Sequence, residues 1–66
     1  MKNRLRVLRA EKKLSQEQLA KMAGISRATL SLIENEKAIP DGNTIISLVK
    51  ALNVPANEIF FDLGVV

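Results

Sequence analysis

Side chains able to carry out covalent or acid–base chemistry are scarce in this sequence. It contains no His, Cys or Tyr, so nucleophiles and general bases reduce to Ser, Lys, Asp and Glu. No Gly-rich phosphate loop occurs, and Asp41-Gly42-Asn43 lacks the ligand spacing of a calcium loop. Glu34 and Glu36 would project from different faces of a helix. An enzyme is not expected, and neither a metal, a cofactor nor a small-molecule ligand has a visible site. What the chain does supply is donors suited to anions: guanidinium, ammonium, carboxamide and hydroxyl groups, concentrated toward its start. Residues 1–33 carry eight Lys/Arg against Glu11 and Glu17, a balance of +6. Residues 34–66 carry Lys37 and Lys50 against five carboxylates, a balance of −3. A basic front half suits a phosphate-bearing surface, and a solubilising coat of lysines is the plain alternative.

Positioning those donors falls to a small scaffold. Sixty-six residues make one domain, expected over 1–61 with a tail at 62–66, and near the size at which a core is just sufficient. Hydrophobic residues reach 47% and cysteine is absent, which fits a reducing cytoplasm and excludes disulfides and thiolate metal sites. Apolar runs are far shorter than a membrane span, and no apolar stretch follows the basic start as a secretion signal requires.

Caps and turn residues divide the chain into five short helices. Asn3 can cap a first helix running to about Lys13, with Leu5 and Leu8 on one face. Ser15 to Gln18 has the form of a capping box, and the helix it opens ends at Gly24. Ser26 can cap a third helix, Arg27 to about Glu34, seated through Leu30 and Ile33. Asp41 follows as the next cap. Ile45, Leu48, Val49 and Leu52 then recur at i, i+3, i+4 and i+7 up to Asn53. Val54-Pro55 opens a last short helix carrying Ile59 and Phe60. The predicted fold class is all-α, with a possible short extended tail.

The joint between the second and third helices carries most information. With only Gly24-Ile25-Ser26 between them, the two helices must cross steeply. Ala20 is small enough for close approach, Gly24 supplies a positive φ, and Ile25 plugs the corner. The series Gln16, Leu19, Ala20, Gly24, Ile25, Ser26, Arg27, Thr29, Leu30, Ser31, Ile33, Glu34 and Asn35, at these spacings, resembles the Cro/C1-type (XRE) helix-turn-helix family. The likeness extends over about residues 4–61, through Pro40, Asn53-Val54 and Glu58 to Phe60. It implies a five-helix phage-repressor-like fold and a DNA-binding transcriptional regulator, a repressor by expectation, acting as a homodimer on a near-palindromic operator. Glu36 stands where the family usually has glycine, which leaves Asn35 to take up the turn. Leu32 lies on a side of the third helix that is usually polar.

By this resemblance, the start and outer face of the third helix reach base edges in the major groove. Arg27, Ala28, Ser31 and Leu32 are the candidates for base readout. Arg27 suits a bidentate bond to guanine, or a phosphate clamp instead. Leu32 can meet a thymine methyl or a protein partner. Gln16, Ser26, Thr29, Asn35 and Lys37 are the candidates for phosphate contact, with a purely structural role equally open for Thr29. Arg9 and Glu34 match the family's structural pair between the first and third helices. Phe61, Leu63, Val65 and Val66 form an apolar strip with weak alternation, read as a dimer interface around residues 60–66 with Ile46 or Leu32 near the seam. An antitoxin whose main partner is a toxin is the alternative function, although only residues 61–66 are left to bind one.

Overall fold

The computed structural model describes residues 1–61. Five helices follow a short strand: β1 (Lys2–Asn3), α1 (Leu5–Glu11), α2 (Gln16–Ala23), α3 (Arg27–Glu34), α4 (Gly42–Leu52) and α5 (Ala56–Ile59), after which β2 (Phe60–Phe61) returns beside β1. Local chemistry sets most of these boundaries. At α2 the capping box is complete: Gln18 N–H donates to Ser15 Oγ at 3.0 Å, and Ser15 N–H donates to Gln18 Oε1 at 2.8 Å. Thr44 N–H donates to Asp41 Oδ1 at 2.8 Å and starts α4. That backbone bond holds the Asp41 carboxyl below its ordinary value. Asn53 ends α4 in the left-handed conformation, at φ 57°, as its position implied.

Three boundaries differ from expectation. Asn3 is not the cap of α1 but a strand residue, and α1 begins one residue after Arg4. Its side chain still serves the helix start, because Asn3 Oδ1 accepts from Leu5 N–H at 3.1 Å. The helix stops at Glu11 rather than Lys13, since Lys13 adopts a φ of 57° and turns the chain toward α2. At the other end α5 stops at Ile59, and Phe60 is extended.

The extended tail therefore starts earlier than expected and finds a partner in its own chain. Strands β1 and β2 pair antiparallel, Lys2 opposite Phe61 and Asn3 opposite Phe60, and Arg4 N–H donates to the Ile59 carbonyl at 2.8 Å. Phe60 is consequently 2% exposed and belongs to the core, which removes it from the dimer seam expected around residues 60–66. Leu5, Leu19, Leu30, Leu48, Leu52 and Ile59 fill the centre of that core, each fully buried. Helix α2 packs against both α3 and α4, so the helix-turn-helix is braced from behind. No helix among the described residues is long and apolar enough to cross a membrane.

Candidate nucleic-acid interface

The turn joining α2 to α3 sets the aim of α3. Gly24 has φ 72°, and a Cβ built on it would meet nothing within 4 Å. Glycine is required there for its backbone conformation, not for space. Ile25 N–H then donates to the Ala20 carbonyl at 3.0 Å, and the half-buried Ile25 packs against the core. Ser26 caps α3 by accepting from Thr29 N–H at 3.0 Å. Its hydroxyl also donates to Thr29 Oγ1 at 2.8 Å. Both of these Ser26 bonds stay inside the cap, which leaves the Thr29 hydroxyl proton as the outward donor.

Leu30, Ile33 and Glu34 form the inner face of α3. By the periodicity of the helix, the opposite face presents Ala28 and Leu32, with Thr29 beside them, all exposed; Arg27 and the half-buried Ser31 share the flank of Glu34 (i, i+4, i+7), and Arg27 is exposed as the first residue of the helix. Leu32 is 46% exposed, so its apolar side chain stands on the outer surface, as its place in the sequence implied. Asn35 and Lys37 are exposed beyond the C-terminus of α3. The turn there is taken by Glu36, at φ 61°, while Asn35 keeps φ −88°. The expectation that Asn35 would supply the left-handed residue is thus corrected. Glu36 carries the strain itself, and Lys37 N–H closes the turn on the Leu32 carbonyl at 2.8 Å.

Behind α3 lies a buried carboxylate that ties three helices together. Arg9 grips Glu34 bidentately, Nε to Oε2 at 2.6 Å and Nη2 to Oε1 at 3.0 Å. Arg9 Nη1 donates to the Leu14 carbonyl at 3.0 Å, and Gln16 Nε2 donates to Glu34 Oε1 at 3.0 Å. The Glu34 side chain has 0% exposure and that of Arg9 14%. Burial alone pushes the Glu34 carboxyl up, but the hydrogen bonds from Arg9 and Gln16 outweigh it and hold the group below its ordinary value. Glu34 therefore stays ionised at neutral pH. Gln16 spends one of its amide protons on this network, leaving the other for an outside acceptor.

Two residues of the site escaped sequence reading. Arg6 Nη2 donates to Asn35 Oδ1 at 3.1 Å, and Asn3 Nδ2 donates to the Ile33 carbonyl at 2.9 Å. Arg6 was within reach of inference, because it lies three residues from Arg9 and so shares its side of α1. Asn3 gave no such signal. Among the expected interface residues, Phe61 is 41% exposed, whereas Leu63, Val65 and Val66 lie outside the described residues.

Known proteins are similar to this chain in sequence and in fold. A helix-turn-helix family model matches residues 5–59. The HTH-type transcriptional repressor RghR of Bacillus subtilis is 43% identical over 61 residues, covering 91% of this chain. The chain spans only 45% of that relative's length. Among solved structures, the restriction-modification controller protein C.AhdI of Aeromonas hydrophila superposes with a TM-score of 0.81 at 37% identity, covering 86% of each chain. The P22 c2 repressor, crystallised with a synthetic operator, superposes with a TM-score of 0.78 at 33% identity over 82% of each chain. With an exposed third helix set on a glycine turn, and with relatives of this kind, the chain belongs to the Cro/C1-type (XRE) helix-turn-helix family of DNA-binding transcriptional regulators.

Proposed function

We propose that the chain is a transcriptional repressor that binds, as a homodimer, a near-palindromic DNA operator, with α3 in the major groove. The observation that carries this reading is the exposed surface of α3, Arg27 at its first turn and Ala28 and Leu32 on its outward face, while Leu30, Ile33 and Glu34 anchor the helix from behind. Arg27, at the first turn, reaches a guanine edge as a two-pronged donor, and Ala28 and Leu32 offer apolar contact to thymine methyls. Ser31 adds a single hydroxyl. Gln16, Thr29, Asn35 and Lys37 hold the flanking phosphates, and the cap at Ser26 orients the first turn of α3 toward them. The bonds Arg9 and Gln16 make to Glu34 keep the phosphate-binding start of α2 and the reading helix in fixed register.

Dimerisation is supported by apolar surface left uncovered on one copy. Phe61 is 41% exposed and Ile46 53%, and β2 has only β1 as a neighbour among the described residues. In a two-fold dimer the two copies of α3 enter successive major grooves about 34 Å apart. Selection of preferred duplexes from a random pool tests this. The expected result is two inverted half-sites separated by about 10 base pairs centre to centre, bound by two copies in sedimentation. A single asymmetric site filled by one copy would overturn the dimer.

A further inference from the structure

We infer that Asn35 is a positioning residue that fixes the Ser31 hydroxyl as a hydrogen-bond donor, so that Ser31 recognises an acceptor on the base edge: a purine N7, guanine O6 or thymine O4. This deepens the reading of α3 given above and rests on it. The argument begins with the orientation of the Asn35 carboxamide, which two neighbours determine independently. Arg6 Nη2 lies 3.1 Å from one end of the amide. A guanidinium can only donate, so that end is the oxygen. The Ser31 carbonyl lies 2.9 Å from the other end. A carbonyl can only accept, so that end is the nitrogen. Neither partner tolerates a flipped amide.

The same nitrogen reaches Ser31 Oγ at 3.3 Å. Ser31 Oγ therefore accepts from within the protein, and among the described residues its proton has no acceptor. That proton is free for an acceptor outside the protein, and accepting a bond on one lone pair strengthens the hydroxyl as a donor. Arg6, on the exposed side of α1, is the outer member of this relay. Through Asn35, 29 positions along the chain, it sets the sense of the base contact made by Ser31. Asn35 thus ties the Arg6 guanidinium to the reading helix.

The test compares sequence preference across variants of the full chain, using duplexes selected by the wild type and all single-base-pair changes of them. Ser31→Ala identifies the position that Ser31 reads, as the one whose preference falls about fivefold, the worth of one net hydrogen bond. Asn35→Asp keeps a partner for Arg6 but turns the inner group into an acceptor, which draws the Ser31 proton inward. It is expected to lose the preference at that same position at least as fully as Ser31→Ala, while the position read by Arg27 keeps its own. Asn35→Ala is expected to relax the Ser31 position partway. Overall affinity falls for the Asp variant on every duplex, so only ratios between duplexes are compared. If Asn35→Asp and Asn35→Ala both keep the wild-type ratio at the Ser31 position, the inference is overturned. If Ser31→Ala changes no position at all, base readout by Ser31 itself is wrong, and the inference falls with it.

Discussion

Replacing Arg9 by Met takes two hydrogen bonds from a carboxylate whose side chain has 0% exposure. Only the 3.0 Å bond from Gln16 remains to it. Breaking a buried pair by removing one partner costs about 3–5 kcal/mol. A domain of this length has roughly 3–10 kcal/mol in total, so Arg9→Met is expected to consume about half of it. Glu34→Leu in the same chain removes the stranded charge and restores apolar packing, so the double variant recovers most of the loss. A coupling of about 2–3 kcal/mol should emerge from the four-member cycle. Urea unfolding followed by circular dichroism of the helices measures it, with a protecting osmolyte held constant if Arg9→Met is too unstable alone. Acid adds a second reading. Burial pushes the Glu34 carboxyl up, the Arg9 and Gln16 bonds pull it down further, and the net folded value is lower than the ordinary 4.5. Its contribution to stability is therefore complete above the unfolded value and is lost as pH falls through the folded one. In Arg9→Met the pull of the arginine is gone and burial prevails, so acidification should narrow the gap to wild type. A cycle with coupling below about 0.5 kcal/mol, the usual scatter for independent sites, would refute the network as the lock on α3.

Other outcomes follow from single features. Lys37→Ala is expected to weaken binding to all duplexes alike and to flatten the log–log salt dependence by about 0.9 per copy, about 1.8 for the dimer, one phosphate's worth in each half-site; a full slope would remove Lys37 from the backbone contacts. Glu36→Gly is expected to stabilise the fold by about 0.5–1 kcal/mol, because Glu36 sits at φ 61° and glycine adopts that conformation without steric cost. Gly24→Ala should cost about 1–2 kcal/mol for the opposite reason, read as a lower unfolding midpoint. Deleting Asp62–Val66 is expected to leave a folded monomer that binds half-sites weakly, since the core already closes at Phe60; a deletion variant that still sediments as a dimer would move the interface elsewhere.

The helix starts at Ser15, Ser26 and Asp41 were legible in the sequence because a capping side chain and its backbone donor lie within three residues of each other. Gly24 and the family spacing around it were equally local, and the Arg9–Glu34 pair came with the resemblance. What stayed hidden depends on residues far apart in the chain. The pairing of Asn3 with Phe60 leaves no periodic trace, because two-residue strands are too short to show alternation. The Arg6–Asn35 and Asn3–Ile33 bonds span 29 and 30 positions and exist only once α1 has packed beside the end of α3. The turn after α3 falls one residue later than the sequence implies, for a related reason. Asn tolerates the left-handed region better than Glu, but Asn35 is engaged by Arg6 and Ser31 in its helical-side conformation, and the strain passes to Glu36.

Sequence reading by α3 through Arg27 is tested by competition between the selected operator and a scrambled duplex, wild type against Arg27→Ala. The wild type is expected to prefer its selected operator over a scrambled duplex by at least about 10³ at physiological salt. Each Arg27–guanine contact is worth about 1–3 kcal/mol, so losing one from each half-site should cut that preference by roughly 30-fold or more. Binding to the scrambled duplex should change far less, because it rests on the phosphates. A wild type that binds both duplexes equally would refute sequence reading by α3, and an Arg27→Ala variant that keeps the full preference and the same selected consensus would refute the role of Arg27 in it.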